Sequence, residues 1–178
     1  MKIPFTLRTA LLACLLLAPL GAQETAATPE AKIAALGLTL PAANAPVANY
    51  VSAVRTGNLV FLAGHIPRDA EGKVLAGKVG KDVDEKFANN AARTTALALL
   101  ATLKKEIGDL AKVKRIVKVN GYVNAVEDFK AQPAIINGCS DLLVAVFGDK
   151  GRHARAALGA GSLPLGAVVE IEMIVEVQ

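Results

Sequence analysis

Residues near the C-terminus alternate between apolar and polar side chains, and this period of two predicts a β-strand with one buried face. The predicted buried face consists of Val169, Ile171, Met173, Val175 and Val177, and the opposite face carries Glu170, Glu172 and Glu176. The same period recurs between residues 116 and 124. There it places Val117, Val119 and Val123 on one face of a strand, and Lys118, Asn120 and Tyr122 on the other.

Two other segments change to spacings of three and four residues, the period of an amphipathic α-helix. The first is predicted over residues 82–107, with Asp82 as N-cap and Glu85 in the capping-box position. Its apolar positions are Phe87, Ala91, Thr94, Leu97, Ala98, Leu100 and Ala101. The second is predicted over residues 132–147, with Ile135, Ile136, Leu142, Leu143 and Val146 facing inward. A short helix is expected over residues 29–37, where Pro-Glu begins it and glycine ends it.

The remaining segments complete an α+β pattern. Residues 51–62 are predicted to form a hairpin around Thr56-Gly57-Asn58, and residues 155–160 a further strand. Helices covering one face of a mixed sheet suit this order of elements. The other face would expose Ile116, Tyr122 and Ile174 among glutamates, a mixture typical of a surface that meets another subunit. We therefore expect an oligomer.

The N-terminal segment resembles a secretory signal peptide. Lys2 and Arg8 precede an apolar run too short to span a membrane, and a small residue, Ala22, ends it. Residues 1–22 are therefore predicted to be removed, leaving a tether over 23–44 and one domain over 45–178. A lipoprotein signal ending at Cys14 is the alternative. The expected location is the periplasm or the exterior, with no membrane attachment after cleavage.

Composition narrows the class of protein. The 178 residues are enough for one well-buried domain. Loss of the signal peptide would lower the net charge from +4 to +2, too little to favour nucleic acid or an anionic membrane. Aromatic residues are 4% of the chain and tryptophan is absent, so the chain has few side chains on which nucleic-acid bases could stack. Cys139 would be the single remaining cysteine, expected as a buried small residue rather than a nucleophile.

Few residues have the spacing of a known catalytic or metal motif. His65 and His153 lie far apart without further ligands at metal-binding spacing, so no metal site is expected. Arg155 opens an apolar strand and Glu170 lies on the next one. If those strands paired, both side chains would reach one end of the sheet, where arginine binds a carboxylate through two parallel hydrogen bonds. The alternative is an Arg–Glu ion pair at a subunit seam. Arg152 and His153 are expected in a solvated turn.

Three motifs resemble the RidA/YjgF family, also called endoribonuclease L-PSP or chorismate mutase-like. They are "NYVSAVRTGNLVFLAGHIP", "VKVNGYVNAVEDF" and "ARAALGAGSLPLGAVVEIEMIVEV", and their order and spacing are similar to the family pattern over residues 45–178. The resemblance implies a chorismate mutase-like α+β fold with two main helices on one face of the sheet. It also implies a homotrimer whose ligand clefts lie between subunits.

The resemblance also implies an activity. Family members hydrolyse reactive enamines and imines, such as 2-aminoacrylate and the related 2-iminobutanoate and 2-iminopropanoate, to a keto acid and ammonia. In that scheme Arg155 binds the carboxylate of a small metabolite and Glu170 helps to position the attacking water. Tyr50, Gly64 and Asn137 fall on substrate-binding positions, and His65 follows Gly64 in the same element. An iminium carbon is already electrophilic, so orientation suffices and no cofactor is required.

This chain departs from the family pattern at three positions. His65 replaces a glutamine, Ala157 a frequent cysteine, and Ser162 an arginine. His65 could carry protons near neutral pH, or simply line the cleft through hydrogen bonds. The favoured function is an imine or enamine deaminase. A non-catalytic trimer that binds small metabolites, or acts as a chaperone, is the alternative, and an endoribonuclease is the third choice.

Overall fold

The protein is represented by a computed structural model that describes residues 27–43 and 48–178. The predicted signal peptide and the first part of the predicted tether lie outside the described residues. Within these residues there are three α-helices, α1 (Pro29–Ala35), α2 (Glu85–Ile107) and α3 (Gln132–Phe147). The described residues also form five strands, β1 (Ala53–Thr56), β2 (Leu59–His65), β3 (Val113–Asn124), β4 (Ala154–Ala160) and β5 (Val169–Val177).

The five strands form one mixed sheet in the order β1-β2-β5-β3-β4. All neighbours pair antiparallel except β3 and β4, which are parallel and are joined through α3. A parallel pair needs such a crossover because the chain must return to the same end of the sheet. The prediction of a mixed sheet with two main helices on one face is confirmed. The prediction that β4 and β5 pair is wrong, because β3 lies between them.

Helices α2 and α3 cover one face of the sheet and bury its apolar side chains. The alternating pattern of β5 is confirmed, since its predicted apolar face is buried throughout. The contact surface of α2 is rich in small residues, which lets its backbone approach α3 and the sheet closely. The fully buried alanines of α2 are Ala88, Ala91, Ala92 and Ala96. The buried positions predicted for α3 are all confirmed.

The start and the orientation of α2 differ from the prediction. The N-cap is Asp84, whose Oδ1 accepts a hydrogen bond from the N–H of Phe87 at 2.7 Å. The Asp82 carboxylate instead accepts from the N–H of Lys78 in the preceding turn. Phe87, which was predicted on the apolar face, lies on the exposed side of the first turn of α2. Asp82 and Asp84 both satisfy the local N-cap pattern, and only the turn geometry decides between them.

A β-bulge changes the faces of β3. The register against β5 shifts between Ile116 and Lys118, so an extra residue enters β3 there. Ile116 is therefore fully buried, whereas Val117 is only partly buried. The prediction had placed Val117 inside and Ile116 outside. Beyond the bulge the predicted alternation is confirmed, with Val119 and Val123 in the core.

The opposite face of the sheet is open and carries both apolar and charged groups. Glu172 accepts hydrogen bonds from Asn120 at 2.8 Å and from Tyr122 at 3.3 Å on this face. An open groove of about 270 Å³ runs beside them, with Val54 and Phe61 among its lining residues. Both of these side chains are exposed, at 53% and 41%. Within the described part of the chain, none of the helices is long and apolar enough to cross a bilayer.

Candidate functional site

Arg155 lies on the edge strand β4, and its side chain is directed to the helical side of the sheet. Arg155 is the register partner of Val119 on β3, so the two side chains lie on the same face of the sheet. The side chain of Val119 is buried in the core between sheet and helices. The Nη1 atom of Arg155 donates to Asn137 Oδ1 at 2.8 Å and to Ser140 Oγ at 3.0 Å. Asn137 and Ser140 are three residues apart, so they occupy the same face of α3. The structure thus brings together Arg155 and Asn137, both of which were predicted as site residues.

The outer edge of the Arg155 guanidinium, formed by Nε and Nη2, lies opposite the Nη1 atom that contacts α3. Among the described residues, no hydrogen bond involves its Nε or Nη2 atoms, and no carboxylate lies within ion-pair distance. Arginine binds a carboxylate through two parallel N–H donors. The side chain is therefore fixed on one side and has free donors on the other.

Ser140 and His153 are neighbours of Arg155 that the sequence patterns did not identify. His153 was predicted in a solvated turn, but it is half-buried, and its Nε2 lies 3.1 Å from Ser140 Oγ. Its Nδ1 lies 2.6 Å from the carbonyl oxygen of Gly151. Arg152 does lie in the solvent, paired with Asp149. The available signal for His153 was its position two residues before Arg155, since alternate residues of an extended segment share a face.

Glu170 lies on the open face of the sheet with Gly64 beside it. The position of Glu170 on β5 is opposite Tyr122, whose side chain is on the open face. A Cβ atom added to Gly64 would collide with the Glu170 carboxylate, so glycine permits the close approach of strand and carboxylate. Burial, and secondarily the nearby Glu172 carboxylate, raises the pKa of Glu170. The structure thus brings together a second pair of predicted site residues, Gly64 and Glu170.

His65 links the sheet to α2. Its Nδ1 lies 2.7 Å from the carbonyl oxygen of Ala63, and its Nε2 lies 2.8 Å from the hydroxyl of Thr102. Of the two roles predicted for His65, the structure shows the hydrogen-bonded one, with both nitrogens occupied by protein groups. Tyr50 lies before β1, and its side chain is 50% exposed.

Arg155 and Glu170 do not meet within one chain. The positions of Val119 and Tyr122 on β3 are three residues apart, so their partners Arg155 and Glu170 are directed to opposite faces of the sheet. The two residues are also two strands apart, about 10 Å at the usual strand spacing. The predicted meeting of both side chains at one end of a β4–β5 pair is therefore wrong. Within one chain the candidate residues form two separate clusters.

The described residues offer no alternative catalytic centre of a familiar kind. Cys139 is buried, as predicted, and burial raises the pKa of its thiol to about 12, so it stays protonated. Among the described residues, no group of three His, Cys, Asp or Glu side chains could hold a metal ion. Arg155 with its α3 partners and Glu170 with Gly64 remain the two candidate clusters.

The free energy of unfolding is expected to decrease as the pH falls below about 6.5. Burial lowers the pKa of both His65 and His153 from that ordinary value. The unfolded chain therefore binds protons first, and the stability present above pH 6.5 is lost as the pH falls. A His65→Gln variant loses one of these groups and about 1 kcal/mol of hydrogen bonding. Its melting temperature should be lower than that of the wild type at pH 8, and the difference should narrow at pH 5.

Glu170 has the opposite pH dependence because its pKa is raised. It is present in both proteins, so its effect cancels in the comparison. A difference in melting temperature that is equal at pH 8 and pH 5 would show that His65 does not titrate in this range.

Comparison with known proteins places this arrangement in a family. The family model described as "YjgF/chorismate mutase-like, putative endoribonuclease" matches residues 30–177. Protein TCP17 of Trypanosoma cruzi is 42% identical over 147 residues, which cover 82% of this chain and 92% of that protein. A Dermatophagoides farinae protein named 2-iminobutanoate/2-iminopropanoate deaminase is 29% identical over 142 residues. That match covers 79% of this chain and 95% of the relative.

The likeness extends to solved structures. Protein Atu1372 of Agrobacterium tumefaciens, whose function is unknown, superposes with a TM-score of 0.79 at 45% identity. The match covers 84% of this chain and 92% of that structure. Since the family model spans most of the chain and a solved relative shares its fold, the chain belongs to the RidA/YjgF, chorismate mutase-like family.

Proposed function

We propose that this protein hydrolyses small 2-imino acids to 2-keto acids and ammonia. The observation that carries the proposal is Arg155, whose guanidinium is fixed by Asn137 and Ser140 and keeps free donors for a carboxylate. A fixed donor pair orients the substrate before reaction and lowers the entropic cost of reaching the transition state. The relative named 2-iminobutanoate/2-iminopropanoate deaminase supports this choice of substrate class.

The reaction needs little beyond orientation and proton transfer. A protonated imine carbon next to a carboxylate is attacked by water, and the resulting carbinolamine expels ammonia. Arg155 would hold the carboxylate, and Glu170 would hold the attacking water. The pKa of Glu170 is raised above that of an ordinary glutamate and so lies nearer to neutral pH. A carboxyl group of this kind is suited to exchange protons with water.

Because Arg155 and Glu170 point to opposite faces of one sheet, we propose that a complete site uses two copies of the chain. Arg155 would come from one copy and the Glu170–Gly64 cluster from its neighbour. The open face supports association, since exposed Val54 and Phe61 and the groove beside them would be covered by a second copy. A trimer with clefts between subunits is the assembly we propose.

The test measures ammonia release from freshly generated 2-iminopropanoate, with semicarbazide present to compete for the imine. Purified protein should accelerate hydrolysis and so reduce semicarbazone formation in proportion to its concentration. Light scattering on the same sample should show an oligomer. Stabilisation by pyruvate without any acceleration would contradict the enzyme proposal and favour the non-catalytic binding protein. Full activity in a monomer would contradict the two-copy site.

A further inference from the structure

Two glutamates of β5 lie side by side on the open face of the sheet. Glu170 and Glu172 are two residues apart, so their side chains share that face at a spacing of about 7 Å. Both side chains are partly buried. Two carboxylates so placed repel each other when both are ionised, and the repulsion is larger beside apolar surface than in open water. Such a pair therefore takes up a first proton more readily than a single exposed glutamate does.

The surroundings of the two carboxylates are unequal. Glu172 Oε1 accepts hydrogen bonds from Asn120 Nδ2 at 2.8 Å and from the Tyr122 hydroxyl at 3.3 Å. Hydrogen bonds donated to a carboxylate favour its ionised form. Glu170 lies against Gly64, and within the described part of the chain no hydrogen bond or ion pair involves its carboxylate. The arrangement therefore favours the negative charge on Glu172 and the proton on Glu170.

Tyr122 contributes one of the two donors to Glu172. Burial raises the pKa of its phenol, and the charge of Glu172, the hydrogen bond between them and the charge of Glu170 raise that pKa further. The hydroxyl therefore keeps its hydrogen near neutral pH and donates it to the carboxylate. Tyr122 is the register partner of Glu170, so its side chain crosses from the Glu170 row of the sheet to the Glu172 row.

The other charged groups near Glu170 lie on β2, on β3 and in the segment before α2. His65 on β2 is turned to the helical side of the sheet, where it contacts α2. Lys118 on β3 lies beyond Glu172 in the register. The Lys78 ammonium, at the end of β3, is held by three oxygen atoms of the protein at 2.7–3.4 Å. Glu172 is the charged side chain whose field acts on Glu170.

We propose that Glu170 and Glu172 form an unequal pair, in which Glu172 keeps the negative charge while Glu170 takes up and returns the proton of the attacking water. The inference rests on the proposed function, which assigns that water to Glu170. It adds Glu172 as a positioning residue that acts through Glu170, held in place by Asn120 and Tyr122. Two carboxylates whose surroundings differ can have separate roles in one reaction in this way.

Glu170 accepts one proton and gives it back in this scheme. Water attacks the carbon of the protonated imine, a C–O bond forms, and the C=N π electrons move to nitrogen. The surplus proton of the water passes to the ionised Glu170 carboxylate. Glu170 then returns it to the amino nitrogen, the C–N bond breaks, and ammonia leaves with the bonding electrons. The hydroxyl proton finally passes to ammonia, which gives the keto acid and ammonium.

Glu172→Gln tests the pair in the full-length protein. The amide keeps an oxygen that can accept from Asn120 and Tyr122, but the negative charge beside Glu170 is removed. Burial, the larger cause of the raised pKa of Glu170, remains, whereas the smaller cause, the charge of Glu172, is lost. The pKa of Glu170 should therefore fall, which makes the carboxylate a weaker base and leaves more of it ionised at acid pH.

The expected signature is a change in the pH profile of kcat/KM for 2-iminopropanoate. At pH 8 the variant should be slower than the wild type by about threefold or more, because proton transfer from water follows the strength of the base. The ratio of its kcat/KM at pH 5 to that at pH 8 should be at least about twofold higher than the wild-type ratio. Glu172→Asp keeps the charge and should keep the wild-type ratio. A rate that falls equally at both pH values in Glu172→Gln would overturn the pair, since Glu172 would then only support the fold.

Glu176→Gln is the matched control. Glu176 is on the same face of β5, about 20 Å from Glu170 along the strand, and it contacts Lys114 and Asn58. The same charge is removed, but at that distance salt screens its effect on Glu170. The control should keep the wild-type pH profile. A change equal to that in Glu172→Gln would overturn the pair, because net charge and not proximity would then be responsible.

A second measurement does not depend on turnover. In ¹³C NMR spectra of the carboxyl carbons, Glu170 should take up its proton before Glu172 as the pH falls, and Glu172→Gln should move the Glu170 titration to lower pH. A Glu170 titration that does not move would overturn the pair and leave the proposed function intact. A shifted titration in a protein that does not hydrolyse 2-iminopropanoate would overturn the proposed reaction, and with it the role of the pair in that reaction.

Discussion

Replacing Arg155 with alanine is expected to reduce kcat/KM for 2-iminopropanoate by at least about 100-fold, or about 2.7 kcal/mol of transition-state stabilisation. The variant loses the free guanidinium edge that would hold the carboxylate, and Asn137 and Ser140 lose their common donor. Arg155→Lys should recover only part of the rate, because an ammonium group cannot make two parallel hydrogen bonds to a carboxylate. Steady-state rates of ammonia release would measure both effects.

The fold should survive this change. Arg155 is only partly buried on an edge strand, and its two hydrogen bonds contribute about 1 kcal/mol each to stability. Circular dichroism and light scattering on each variant would establish that the fold and the oligomer are kept. Arg152→Ala is the matched control, because it removes a neighbouring arginine whose side chain, within the described residues, pairs only with exposed Asp149. A folded Arg155→Ala oligomer with wild-type kcat/KM would contradict the proposed role of this residue.

Replacing Gly138 with alanine is expected to destabilise the protein by about 3 kcal/mol, a large effect for one added methyl group. Gly138 lies on α3 where that helix crosses α2, and an added Cβ would collide with the backbone carbonyl of Asn89. Backbone atoms cannot rotate away as a side chain would, so the two helices must separate. The side chain of Asn89 also donates to the carbonyl of Ala134 at 2.8 Å, and separation would strain this bond.

Urea denaturation would measure the loss as a lower midpoint with an unchanged slope. Gly161→Ala is the control, because a Cβ at that position has no atom within 4 Å. It should leave the free energy of unfolding within about 0.5 kcal/mol of the wild-type value. Equal midpoints for Gly138→Ala and the wild type would show that α2 and α3 have room to separate without cost.

Side-chain periodicity correctly predicted those helices and strands that are specified by the spacing of apolar residues within their own segment. The segment 132–147 satisfies helical spacing over four turns, and α3 has those bounds. The alternation in β5 likewise predicted its buried face. Where several local solutions competed, the prediction failed. Asp82 and Asp84 both suit an N-cap, and the segment before Lys118 suits either of two registers until a bulge selects one.

The sequence by itself determined the class of fold, the bounds of α3, the buried face of β5 and the motifs that show the family. These follow from side-chain spacing along the chain, which each segment carries without reference to any other. Only the tertiary structure decided that β3 separates β4 from β5, and hence that Arg155 and Glu170 point to opposite faces. It also decided that Ser140 and His153 meet beside Arg155. Strand pairing and helix packing join residues distant in sequence, and their energies depend on the whole core.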